Sequence, residues 1–238
     1  MPAPATARVP LDRARVIATA IDAADADGLA ALSMRGLATR LGVVPMALYK
    51  HVADKDDLVA GMIDAVVAGF AAPAADLGAR DSITARIASA RAAVGRHPWL
   101  RGAIEAATSP TPTVLAHMDA VAGDLFRSGL SADLVHHAMH ALGSRIWGFS
   151  PEAFTAPTGG PDRTPDAPTA ETPDAETQRA MAERYPHVAA VAADAAARHP
   201  SGACVPDAEF DFTLDLLLDA IERLHAAGWR SDVPRASA

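Results

Sequence analysis

Apolar residues recur three and four positions apart along most of the chain, the spacing of one buried helix face. In residues 11–26 that stripe is Val16, Ile17, Ala20, Ile21 and Ala24, and Asp27-Gly28 ends it. Ser33 is placed to cap a second helix carrying Leu37, Ala38 and Leu41. Gly42 then supplies a residue that tolerates positive φ, and a third helix begins at Pro45, burying Leu48 and exposing Tyr49, Lys50 and His51. Asp54 caps a longer helix that reaches Phe70 through Leu58, Met62, Ile63, Val66 and Val67.

Beyond a breaker-rich joint at 71–80, the same rhythm predicts helices over 81–95, 99–107, 113–128 and 131–149. His97-Pro98 separates the first two. Residues 155–173 hold five prolines, Gly159-Gly160 and almost nothing apolar, which predicts a long mobile loop. Helices follow over 175–199, with a break at Tyr185-Pro186, and over 207–227. The last bears the strongest stripe: Phe210, Leu214, Leu217, Leu218, Ile221 and Leu224. β-branched runs of strand length are missing. The expected fold is all-α.

Composition narrows the class. Half of the 238 residues are apolar but only 5% are aromatic, and abundant alanine favours close-packed helices. One cysteine, Cys204, rules out an internal disulfide framework. No apolar stretch reaches 18 residues, and MPAPATARVP lacks the apolar core of a signal peptide. A cytoplasmic protein with no membrane partner is the expectation.

The net charge of −8 at first argues against nucleic acid, but its distribution does not. Residues 1–70 carry net −1 and the rest −7, and no acidic residue falls between Gly28 and Ala53. Arg8, Arg13, Arg15, Arg35, Arg40, Lys50 and Lys55 can make a local basic face, and phosphate responds to the local field. A helix, a glycine-containing turn and a second helix form the unit that sets a helix in the major groove of double-stranded DNA.

The stretch LSMRGLATRLGVVPMALYKHVADKDDLV resembles the DNA-binding domain of the tetracycline-repressor (TetR) family of transcriptional regulators. The matching runs are L-A-x-x-L-G-V, L-Y-x-H-V and D-K-x-x-L. The resemblance implies a three-helix DNA-binding domain over 1–70 and a larger ligand-binding and dimerisation domain over 71–238. It also implies that the helix from Pro45 enters the groove and that Arg35 reaches a base edge. Val44, Pro45, Met46 and Ala47 would face the groove, where small apolar surfaces meet thymine methyls. Tyr49, Lys50 and Lys55, with His51 beside them, would meet the DNA backbone and position the protein without reading sequence.

The later segment SGLSADLVHHAMHALGSRIWGFSPE resembles the family's regulatory domain more loosely. In the family its helix and the last one pair with their copies as a four-helix bundle, which implies a homodimer. Leu214, Leu217 and Ile221, with Ala138 and Ala141, would form that seam. A small-molecule effector is expected among Trp99, His117, Met118, Met139 and Trp147. Thr108 lies in a loop resembling one that helps hold magnesium in the tetracycline repressor. Glu105, however, stands where that protein has its metal-binding histidine, which argues against tetracycline–magnesium.

His136 and His140 sit four apart with His137 between them. Such a pair can bind zinc given two more ligands, but nothing at ligand spacing completes the set. A pocket role and a packing role stay open. No nucleophile elbow, phosphate loop or paired-carboxylate motif points to an enzyme, and no cofactor is implied. The functional expectation is a repressor on a palindromic operator, released by a small molecule. The alternative is a helical small-molecule or metal-binding protein, or an interaction adaptor, without specific DNA binding.

Overall fold

The computed structural model describes residues 10–147, 175–198 and 206–232. The described residues form eleven α-helices, one short 3-10 turn and no strand. The expected loop at 155–173 lies outside them, as do Arg8 and Cys204.

Helix α1 (Arg13–Asp27) starts where the Asp12 carboxylate accepts from the Arg15 amide. A 3-10 turn (Leu29–Ala31) leads into α2 (Met34–Leu41), capped by Ser33. Gly42 closes α2 in the left-handed region at φ 66°, where a side chain would add strain. Helix α3 (Pro45–Leu48) is a single turn that unwinds through Tyr49 to His51. Helix α4 (Lys55–Ala68) opens with the Asp54 carboxylate accepting from the Asp57 amide.

Leu37, Leu48, Leu58 and Met62 are almost completely buried between α1 and α4. Truncating any of them to alanine typically costs about 2–5 kcal/mol. Gly61 allows the close approach: a Cβ there would lie 2.7 Å from the Ile17 Cδ1.

The next helices are α5 (Ala79–Arg96), α6 (Trp99–Ala106), α7 (Pro112–Arg127) and α8 (Ala132–Trp147). Helix α5 starts two residues earlier than its apolar spacing predicts, because Asp81 belongs in the first turn of a helix. His97 leaves helical geometry before Pro98, as the residue preceding a proline tends to. Ala93, Trp99, Leu100 and Ala103 join the cluster that contains Leu37 and Leu58, so packing is continuous across residue 70.

Two compact units emerge: residues 1–148 with 220–238, and residues 149–219. In the second, α9 (Ala175–Arg184) and α10 (Pro186–Arg198) pack together across the Tyr185-Pro186 break. Helix α11 (Pro206–Ala226) runs from the second unit into the first. Phe210, Leu214, Leu218 and Ile221 are buried within the protomer, whereas Phe212 and Leu216 are 62% and 50% exposed. No helix among the described residues is long and apolar enough to cross a membrane.

Candidate functional site

The α2–α3 pair presents a surface with a buried underside. Leu48 anchors α3 inward with no exposure, while Val44 and Met46 are about 70% exposed and Tyr49 46%. Pro45 is also exposed, and Ala47 is half-buried. Arg35, Lys50 and Lys55 are exposed around this ridge and make no ion pair among the described residues.

Two arginines of the expected basic face are already neutralised. Arg13 forms a two-pronged pair with Asp57, at 2.9 and 2.7 Å, and donates to the His51 carbonyl at 2.8 Å. Arg40 pairs with Asp27. The Asp57 carboxylate also accepts from the Ala53 amide, and with Arg13 beside it its pKa falls to about 2. This clamp ties the first turn of α1 to the turn after α3. It holds the angle of the ridge rather than offering charge to a phosphate.

A cavity of about 380 Å³ lies among α4, α6, α7 and α8. Val67 and Phe70 enter it from α4 and its C-terminal turn, and Ile104 from α6. From α7 come Val114, His117, Met118 and Val121, and from α8 come His136, Met139, His140, Leu142 and Gly143. Five expected ligand residues therefore come together: His117, Met118, His136, Met139 and His140.

Others do not. Trp99 is buried in the core beside α1, and its indole N–H donates to Asp25. Glu105 is exposed and pairs with Arg101 one turn earlier. Thr108 lines a separate recess of about 680 Å³ between α4 and the corner joining α6 to α7. Trp147 ends α8, where its side chain is outside the described residues. Ala138 is buried and Ala141 half-buried in the protomer.

The polar side of the cavity is histidine. His117 meets the Phe70 ring edge-on at 5.1 Å, and burial followed by the Arg86 charge pushes its pKa down. His136 and His140 stand edge-to-face at 4.7 Å. No group of three or more His, Cys, Asp or Glu able to hold a metal occurs among the described residues.

Beside the cavity, Asp124 of α7 is fully buried. It accepts from the Ser82 hydroxyl at 2.7 Å and the Arg86 Nε at 2.8 Å, and pairs with Arg127. Burial opposes its ionisation, but these hydrogen bonds and charges outweigh it and keep the pKa below the ordinary value. A carboxylate this deep without such partners would be costly.

Sequence patterning misses this network, the Arg13–Asp57 clamp and the role of Phe70. The heptad-like stripes mark Asp124 only as a polar residue beside Leu125.

The profile of the "Tetracyclin repressor-like, C-terminal domain" family matches residues 73–225. The chain belongs to the TetR family of transcriptional regulators. Two curated relatives also match part of the chain. The HTH-type transcriptional repressor DrrR1 of Streptomyces coeruleorubidus is 41% identical over 88 residues, covering 36% of this chain and 33% of that protein. An HTH-type transcriptional regulator of Saccharopolyspora erythraea is 33% identical over 141 residues, covering 58% and 59% respectively. The match thus spans a third to three-fifths of these relatives' own lengths. The crystal structure of the Streptomyces coelicolor TetR family protein ActR in complex with (S)-DNPA shares the fold. Its TM-score is 0.64 at 21% identity, over 91% of this chain and all of that one.

Proposed function

We propose that this TetR-family protein is a dimeric repressor that grips a palindromic operator through α3 and lets go when a small organic molecule fills the cavity. The observation that carries this reading is the placement of α4. Its capped N-terminus and Asp57 fix the turn after α3, and its other end supplies Val67 and Phe70 to the cavity wall. One helix of 14 residues, about 21 Å long, spans reader and cavity. The apolar walls and few polar groups have the usual form of a small-molecule site. The names of the two relatives, a repressor and a regulator of the helix-turn-helix type, and the ligand in the ActR crystal agree with it.

A ligand shifts an equilibrium only by its differential affinity for the two states. Cutting operator affinity by a hundred- to ten-thousand-fold needs about 2.7–5.5 kcal/mol in favour of the non-binding form. Differential burial of roughly 100–200 Å² of apolar surface is enough.

The test is selection of bound duplexes from a random pool, followed by anisotropy titration of the winner with candidate effectors. Enrichment of a pseudo-palindrome with half-sites about one helical turn apart is expected. A pool in which no duplex is enriched would end the proposal.

A further inference from the structure

The cavity carries a second message in the sign of the charge around it. Among the described residues its lining is apolar side chains and three imidazoles, with no carboxylate and no amide. Asp64, the acidic residue of α4 nearest to Val67, already accepts from the Thr111 hydroxyl that caps α7. The buried Asp124 is met by two guanidiniums, Arg86 and Arg127, so that set holds one net positive charge. It sits on the helix that also supplies His117 and Val121 to the wall, and the Arg86 charge bears on His117.

A cationic ligand would give up hydration against a described wall that holds no carboxylate to meet it, which is unfavourable. An anionic oxygen would meet the N–H of the half-buried His117, with the Arg86 charge favouring it, and charge-assisted hydrogen bonds are the strong ones. The rest of the wall rewards a flat apolar body: Met118 and Met139 are adaptable sulfur side chains that pack well on rings. A volume of about 380 Å³ is near the lower end for small-molecule sites, which limits the body to a few rings.

We propose that the effector is a compact, largely apolar weak acid, a phenol, enol or carboxylic acid, whose acidic oxygen accepts from His117 with the Arg86 charge acting on the same spot. This rests on the reading of the cavity as the effector site.

The test uses the full chain and three probes that share one ring system: 1-naphthoate, 1-naphthylmethanol and 1-naphthylmethylammonium, titrated by calorimetry. The carboxylate should bind about tenfold tighter than the alcohol, a difference of about 1.4 kcal/mol, and the ammonium should not saturate. His117→Phe keeps a ring against Phe70 but removes the N–H, so the carboxylate should lose its advantage over the alcohol. The wild-type order of the three probes needs no variant at all. Binding of the ammonium as tight as that of the carboxylate, or a preference that survives His117→Phe, overturns the acid assignment and leaves the cavity as an effector site. Binding by none of the three overturns both.

Discussion

Trp99 donates its indole N–H to the Asp25 carboxylate at 2.7 Å, and His97 meets the same carboxylate at 2.9 Å. One acidic side chain near the end of α1 thus receives both residues that flank the Pro98 break between α5 and α6. An aromatic residue in a helical protein with a ligand cavity invites assignment to that cavity. Here its polar edge is committed to the reader domain, and the ring fills the core beside it. Trp99→Phe should therefore leave effector binding intact while costing stability. Losing a hydrogen bond to a charged acceptor typically costs about 1.5–3 kcal/mol. Urea unfolding of the two proteins gives that difference, and a loss of effector affinity without loss of stability would reverse the assignment.

Arg35 and Lys50 flank the exposed ridge but should behave differently. We propose that Arg35, exposed on α2 before the turn, reads a base edge, so Arg35→Ala should cost about 1–3 kcal/mol and relax preference at one base pair per half-site. Lys50→Ala should weaken all duplexes alike and flatten the salt dependence by about one unit of slope. Anisotropy on the selected operator and on point-mutated versions, at several salt concentrations, separates the two. Uniform weakening by both variants would remove the base-reading role of Arg35.

Much of this was legible in the residues because local chemistry dictated it. Ser33, Gly42, Pro45 and Asp54 punctuate α2 to α4 by capping, positive φ and missing donors, and the structure uses all four in those ways. The stripes on α4, α7 and α8 are amphipathic, so they point at a common interior whatever fills it. Long-range polar pairing was not legible. Arg13 and Asp57 lie 44 positions apart, and Asp25 and Trp99 lie 74 apart. Nothing in a period of 3.6 tells which exposed arginine meets which exposed aspartate. For the same reason the apolar stripe on 210–224 could not be divided between a protomer's own core and a partner.

The Arg13–Asp57 clamp gives a signed pH dependence. Asp57 is depressed to about 2 in the folded chain, chiefly by the Arg13 hydrogen bonds and then by the Ala53 amide. Its contribution is full above the ordinary carboxylate range, near pH 4, and is lost as pH falls through about 2. The pair is partly exposed, so screening keeps the effect small. Asp57→Asn should lower stability by a constant amount at neutral pH, and the gap to wild type should narrow below about pH 4 and close near 2. Chemical denaturation at stepped pH measures this. A gap that widens in acid would contradict the assignment.

Gly143 lines the cavity, and a Cβ built on it meets nothing within 4 Å. Gly143→Leu should grow into that space and occupy part of the site. The expected protein binds its operator within about twofold of wild type but no longer responds to an effector, because the differential affinity has nowhere to act. Anisotropy with and without effector reads both quantities on one sample. Retained response at wild-type effector concentration would move the site elsewhere.

The dimer seam calls for a comparison within one helix. The stripe on α11 predicts Leu214, Leu217 and Ile221 against a partner, yet Leu214 and Ile221 are only 2% and 7% exposed in the single protomer and Leu217 is half-buried. Phe212 and Leu216 lie four apart on another face and are largely exposed. We propose Phe212 and Leu216 as seam residues, because the protomer leaves these two large apolar side chains in solvent. Leu216→Asp combined with Phe212→Asp should therefore yield a folded monomer, because each charge replaces a group that the protomer itself leaves in solvent. Ile221→Asp should instead bury a charge inside the protomer and unfold it. Sedimentation velocity and the helical circular dichroism signal distinguish the outcomes. A folded monomer from Ile221→Asp, with the Phe212 and Leu216 double variant still dimeric, would return the seam to the buried stripe. Because an operator of two half-sites needs two readers at fixed spacing, the true monomer should also lose specific DNA binding while keeping its effector.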